Sequence, residues 1–500
     1  MARTLVLPPL LLLAAHTAAC QSPADQEPVG TPPSEDSPVP VSPIQACNAR
    51  DVMPDTDPDP TRVEVDLRAS DVAWDPGTGT PLLTGMAFND SVPGPILEAN
   101  LGDTVTVRFQ NDTTIPMALH WHGLRVTPEM DGIQQMTGDP VAPGERFDYV
   151  FTLRDAGFYW FHTHMDTAST IEAGLQAPII VHAPGETAPD CDLPLVLDDV
   201  LLDEDTRQIA PPDTDMMRIM GRLGNLLMAN GQAGRRIAWT AGQTTLLRLV
   251  NSSNARIWDV ALEGHTMRVV GSDGGFLETP YDVERVRLSP GERVMVVVEA
   301  TGEPGRSYRL MNRRVQLHEH GGHMVEVDPM GDGENPVLTF VYDEGQVTGS
   351  GWTQPTPDAP SWTSPPAVFG HGWLLEEDMM AGTVTLDGAA WPDGERVTVT
   401  AHVDTTFTVE NASEMHHPFH IHGNRFQVLD DGHGVPTPGW KDTFDIPPRS
   451  TVTLASALDN PGEWMVHCHI LEHGDEGMAG MMLVAEEGSH DAAPHGHGAR

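Results

Sequence analysis

Residues Val107 to Gly123 read VRFQNDTTIPMALHWHG, and 300 positions later Phe407 to Gly423 read FTVENASEMHHPFHIHG. Asn111 aligns with Asn411, His120 with His420, His122 with His422 and Gly123 with Gly423. A third copy, LRLVNSSNARIWDVALEGH from Leu247, keeps the asparagine as Asn251 but has Val260 and Leu262 where the histidines stand. A second landmark follows each of these. Gly157 to His164 (GFYWFHTH) matches Gly462 to His469 (GEWMVHCH), while Gly305 to Asn312 (GRSYRLMN) puts Leu310 and Asn312 at the histidine positions. Between the landmarks lie Pro143-Gly144-Glu145-Arg146, Pro290-Gly291-Glu292-Arg293 and a weaker Pro447-Pro448-Arg449-Ser450, each before an apolar, β-branched run. Short strands punctuated by Gly/Pro turns and repeated three times predict an all-β chain of three tandem β-sandwich domains.

Four segments carry histidines two apart: His120 and His122, His162 and His164, His420 and His422, His467 and His469. On a strand such pairs project from one face, so each presents two imidazoles to one place. A lone pair of this kind is as often a satisfied core or surface feature, but four pairs are the signature of a polynuclear site for copper, zinc or iron. Cys468 lies between His467 and His469 and must point to the opposite face. With His417, His473 and Met478 in reach, it forms the His2Cys set with axial Met of a blue-copper electron-transfer site. Met117 stands where the third copy has His417, and Thr163 where it has Cys468, so only the third domain holds that set. The eight paired imidazoles then meet between the first and third domains, as ligand sites favour domain interfaces.

With these motifs, residues 62 to 486 resemble the three-domain multicopper oxidases: laccases, cuprous oxidases and bilirubin oxidases. The resemblance implies cupredoxin-like Greek-key sandwiches, at 62–186, 187–347 (without copper ligands) and 348–486. It also implies four copper ions. Carried over by position, His417, Cys468, His473 and Met478 are type 1 ligands, and His120 and His420 are type 2 ligands. His122, His162 and His469 hold one type 3 copper, and His164, His422 and His467 the other. The implied activity is one-electron oxidation of a small reductant at type 1, coupled through Cys468 to reduction of O2 to water. That division of labour suits a reaction in which O2 needs four electrons and a phenol or Cu(I) gives one at a time. Met478, as a weak axial ligand, sets a middling potential.

Oxygen reduction consumes protons, so nearby carboxylates matter. Asp131, in HGLRVTPEMDG, stands where the family commonly has a proton-relay aspartate; the alternative is a turn residue of Asp-Gly. Many bacterial members have a glutamate directly after the second type 1 histidine. Here that position is Gly474, followed by Asp475 and Glu476, either of which is a substitute.

The substrate is less legible. Phenols and aromatic amines are the default, and the alternative is a cuprous oxidase of copper tolerance. Met216, Met217, Met220, Met228, Met379 and Met380 offer soft thioethers for Cu(I). The first three equally make one apolar helical stripe, and the long methionine-rich insertion common in cuprous oxidases is missing. His318-Glu319-His320-Gly-Gly-His323-Met324 and the tail histidines His490, His495 and His497, in 487–500, are weaker metal contacts.

Arg3 followed by an apolar run from Leu5 to Ala15 reads as a secretory signal over 1–20, too short to span a bilayer. Thr17-Ala18-Ala19-Cys20 resembles a bacterial lipobox, which would lipidate Cys20; cleavage after Ala19 without lipid is the alternative. Either way the expectation is an exported, periplasmic or cell-envelope monomer. Residues 21–61, rich in Pro, Asp and Ser, read as a disordered tether. With Cys20 assigned to lipid and Cys468 to copper, Cys47 and Cys191 remain, as a disulfide or as two free thiols. The 72 acidic against 28 basic residues give a net charge of −44, which excludes nucleic acid as a partner and attracts metal cations or amines, or simply keeps the chain soluble.

Overall fold

The buried asparagine of each repeat explains why the landmark recurs. Asn111 donates to the carbonyls of Ile115 and Val141, Asn251 to those of Arg256 and Leu288, and Asn411 to those of Met415 and Ile446. Each Oδ1 accepts the N–H two residues on, from Thr113, Ser253 or Ser413. One amide therefore ties a strand end to a distant loop without leaving a buried donor unpaired. In the first two copies the following glycine, Gly144 or Gly291, returns its N–H to the asparagine carbonyl at positive φ. In the third copy the left-handed position is Arg449, which is why that motif looked weak.

The computed structural model describes residues 42–133, 138–203, 205–210, 215–318, 328–331, 333–357, 362, 365–378 and 380–488. Their strands fall into three pairs of sheets. Strands between Arg62 and His182 form two four-stranded sheets. Those between Cys191 and Gln346 form a six-stranded sheet and five strands of a second, whose sixth strand is Ile44–Gln45, and those between Val368 and Ala485 form a six- and a five-stranded sheet. Each pair encloses its own apolar core, with Leu67, Phe109, Trp121 and Phe161 in the first, Trp239, Leu249 and Phe340 in the second, and Trp373, Phe407 and Trp464 in the third. The chain is thus all-β with three sandwiches in succession, as the repeat requires.

One expectation is corrected at the amino end. Residues 42–61 are not a free tether. Ile44–Gln45 adds a parallel strand beside Arg236 and Ile237, and Met53 N–H donates to Ile96 O at 2.9 Å. Cys47 is disulfide-bonded to Cys191, and an apolar half-cystine packed into the middle core holds the segment down. The leader, Cys20, His320, His323, Met324, Met379 and the tail histidines lie outside the described residues. Among the described residues no helix is long and apolar enough to cross a membrane.

Strand parity decides which side chains meet. In Gly157–Thr163, Tyr159 and Phe161 enter the first core, while Phe158 and Trp160 pack against Val196, Leu246 and Met295 of the middle sandwich. His162 has their parity and so faces the interface. In Gly462–Cys468, Trp464, Val466 and Cys468 enter the third core, and Met465 packs outward on Ile133. His467 therefore faces the first domain. In His417–Ile421 the odd positions His417, Phe419 and Ile421 turn inward, leaving His420 outward. In the middle domain Val260, Leu262 and Leu310 are core residues of that domain's own sandwich, so the strands persist with no ligands to offer.

Candidate metal centre

Inside the third core, Cys468 Sγ lies 3.6 Å from His417 Nδ1 and 3.7 Å from His473 Nδ1. The far nitrogens are engaged as well: His417 Nε2 is 2.8 Å from Ser413 Oγ, and His473 Nε2–H donates to Ile219 O at 2.8 Å. Those contacts orient both rings with Nδ1 toward the sulfur. Met478 is fully buried in the same core and accepts the Cys468 N–H at its carbonyl. Burial pushes the Cys468 thiol up and holds His473 down at about 4, so without a metal the group is a neutral, soft donor set.

On the opposite face all eight paired histidines converge. His120 Nε2 and His420 Nε2 are 3.4 Å apart, and His422 Nε2 and His467 Nε2 3.0 Å apart. The donor atoms of His164, His422 and His467 lie within 4.8 Å of one another, as do those of His120, His122 and His162. The His469 ring is 4.9 Å from that of His122 and 5.8 Å from that of His162. Desolvation pushes His122, His162, His164, His420, His422 and His469 well below the usual imidazole range, with neighbouring histidines adding to it. His122 Nδ1, His162 Nε2 and His164 Nε2 are buried without any hydrogen-bond partner. Buried polar atoms are rarely left so, and neutral imidazole nitrogens aimed at common points fit metal ions and little else.

Carboxylates hold the outer side of the rings. Asp131 Oδ2 is 2.8 Å from His422 Nδ1, and the Asp131 carbonyl oxygen is 3.2 Å from His120 Nδ1, so the residue bridges two ligand strands from different domains. Asp442, which the sequence did not single out, places Oδ1 3.0 Å from His122 Nε2 and its carbonyl 2.9 Å from His420 Nδ1. Nothing in the local pattern Trp440-Lys441-Asp442-Thr443 marks it as a partner of histidines in two domains.

A cavity of about 230 Å³ reaches the cluster between His162, His164 and His467, with Asp475 on its wall. Asp475 accepts the Thr167 hydroxyl at 2.5 Å and the Thr167 and Ala168 N–H groups. Glu476 instead pairs with Arg218 and is half exposed. Gly474 also lines the cavity, so of the two acids after it only Asp475 reaches the position. Among the methionines, Met217 and Met220 lie on the short helix Asp215–Met220, as the helical reading expected, and among that helix's described side chains the buried one is Ile219. Met228 is a core residue beside Leu82 and Val200, and Met380 is exposed.

Family models described as multicopper oxidase match residues 72–186, 194–329 and 369–488. The multicopper oxidase MmcO of Mycobacterium tuberculosis is 27% identical over 80% of this chain and 83% of its own. A laccase-like multicopper oxidase, CueO, from an Ochrobactrum species superposes with a TM-score of 0.72 at 26% identity, over 87% of this chain and 100% of its own. A Campylobacter jejuni multicopper oxidase, described as a metallo-oxidase, shares the fold at a TM-score of 0.76 and 24% identity, covering 89% of this chain and 96% of its own.

The chain belongs to the multicopper oxidase family, and it is a copper-dependent oxidoreductase. Members use four coppers, of types 1, 2 and 3, with O2 and a reducing substrate.

Proposed function

We propose that this protein is a laccase-like oxidase of phenols and aromatic amines. His417, Cys468, His473 and Met478 form its type 1 site, and His120 and His420 its type 2 site. His122, His162 and His469, and His164, His422 and His467, form the type 3 pair. Copper at these positions supplies one-electron oxidation at the cysteine site and four-electron reduction of O2 to water at the histidine cluster. The chain does the rest. Strand Gly462–Cys468 carries Cys468 inward and His467 outward, so one short stretch of backbone touches both sites. Asp131 orients His120 and His422, and Asp475 offers an acid group at the cavity wall for the protons that water formation consumes.

The observation that carries the phenol reading is the cover of the type 1 site. Among the described residues, what meets His473 Nε2 there is the carbonyl of the buried, apolar Ile219. The half-buried Met217 and Met220 on the same helix favour the second reading, a cuprous oxidase. Oxygen uptake by copper-loaded protein separates the two. Uptake with a simple phenol that disappears in Cys468→Ser supports the first, and uptake with Cu(I) alone, above its spontaneous rate, overturns it in favour of the second. We also place the protein outside the reducing cytosol, supported by the Cys47–Cys191 disulfide and the signal-like amino terminus. Fractionation of cells, with mass analysis of the mature amino terminus, tests both export and lipidation.

A further inference from the structure

The middle domain lost its histidines, yet it sends one side chain to the histidine cluster. Arg293, from the Pro290-Gly291-Glu292-Arg293 landmark, is fully buried. It grips Asp442 in two-pronged fashion, at 2.6 and 2.5 Å. The same guanidinium donates to Gly291 O and Asp273 O of its own domain and, at 3.4 Å, to Phe158 O of the first. Asp273 takes the Arg293 N–H at 2.7 Å and, with Glu292, the buried Lys441 ammonium. Its counterpart in the first domain, Arg146, is on the surface beside Gln110. The glycine after the first histidine pair makes room for this grip, since a Cβ on Gly123 would lie 2.6 Å from Asp442 Oδ2 and would overlap Arg293 Nη2.

Asp442 makes two opposite choices. Its carboxylate at His122 Nε2 leaves Nδ1 as the free lone pair, and Nδ1 is the orphaned atom. Its carbonyl at His420 Nδ1 leaves Nε2 free, and that atom faces His120 Nε2. Which nitrogen of a ligating imidazole is free is set by the hydrogen bond its other nitrogen makes. From this geometry we infer that Arg293 is a positioning residue: by locking Asp442 it fixes the tautomers and ring orientations of His122 and His420, so the copperless domain completes the trinuclear site. Lysine cannot reproduce the planar fork.

The inference rests on the copper-ligand reading above, and the experiment separates the two. Wild type, Arg293→Leu, Arg293→Lys, Asp442→Asn and the surface control Arg146→Leu are loaded with copper and dialysed against a graded chelator. Copper per chain, the electron paramagnetic resonance signal of type 2 copper and the visible absorption of type 1 copper are then read. Arg293→Leu and Asp442→Asn should release copper from the histidine cluster at chelator activities about 10- to 100-fold lower than wild type, with an altered type 2 signal and type 1 absorption retained. Arg293→Lys should fall between, and Arg146→Leu should match wild type. If the Arg293 and Asp442 variants melt earlier but keep wild-type copper retention and an unchanged type 2 signal, the arginine is only an interdomain fastener and the inference fails. Should Arg293→Leu not fold, Arg293→Lys and Asp442→Asn decide on the same readings. A wild type that binds no copper overturns the ligand reading itself, and the inference with it.

Discussion

Gly291→Ala is a perturbation whose effect on the site can be separated from its effect on the backbone. Gly291 has φ +86°, and a Cβ built there lies 2.9 Å from Cγ and Cδ2 of His469. Ordinary contact begins near 3.4 Å, so the ring must retreat by 3.4 − 2.9 = 0.5 Å. The alanine also strains the backbone by about 1–3 kcal/mol, because L-residues disfavour positive φ. Gly144 occupies the same place in the first domain's landmark with φ +83°, and its Cβ would meet nothing within 4 Å. Gly144→Ala therefore carries the strain without the clash. A misplacement near 1 Å can remove about 100-fold in rate, so half that shift at His469 should lower oxygen uptake about 10-fold at saturating reductant. The pair is assayed by oxygen electrode, type 1 absorption and thermal melting of copper-loaded protein. Both variants should melt earlier, Gly291→Ala at least as early as Gly144→Ala because it adds the clash to the strain, both should stay blue, and only Gly291→Ala should turn over slowly. Equal rates in the two variants, fast or slow, would refute the placement of His469 against the Gly291 loop.

Three further outcomes follow from the geometry. Asp475→Asn should reduce oxygen uptake about 100-fold while type 1 copper still reduces normally, because it removes an acid group from the cavity wall, whereas Glu476→Gln, at the surface, should match wild type in the same assay. The His182–Glu98 contact, 2.6 Å, should make stability pH-dependent. Hydrogen bonds to Glu186 and Glu98 raise His182 from 6.5 to about 9, so its contribution is full below 6.5 and lost as pH rises through 9. The bond to His182 lowers Glu98 from 4.5 to about 2, so that part is present above 4.5 and lost as pH falls through 2. The melting difference between wild type and His182→Gln should thus peak between pH 4.5 and 6.5, at about 2 kcal/mol, and shrink toward pH 9. Cys47→Ser opens a crosslink between residues 144 apart and should cost about 2–5 kcal/mol; denaturant melts of this variant should no longer respond to a thiol reductant.

Much of the site was legible because its chemistry repeats at strand spacing. Pairs of histidines two apart can only share a face, and a cysteine between two of them can only take the other. Three copies of one landmark, two with histidines and one with Val260 and Leu262, gave three sandwiches and named the copperless one. Met117 in place of His417 pointed to the third domain for the candidate blue-copper set, and the structure shows what fills that place in the first domain: Met117 is a residue of the first core. The helix expected of Met216, Met217 and Met220 exists, and among its described side chains Ile219 is the buried one. The reach of the disordered tether was overestimated, because Pro- and Asp-rich composition does not reveal that Cys47 is anchored in the middle core.

By itself, then, the sequence determined the all-β repeat and the face that each candidate ligating side chain occupies, because these depend on spacing along one strand. Only the tertiary structure decided how the rings are held. Asp131 bridges His120 and His422, Asp442 serves His122 and His420, and Arg293 reaches Asp442 from 149 residues away. Each of these contacts joins segments with no local periodicity in common. Their proximity is set by how three sandwiches pack against one another, and no residue's nearest neighbours in the chain record that.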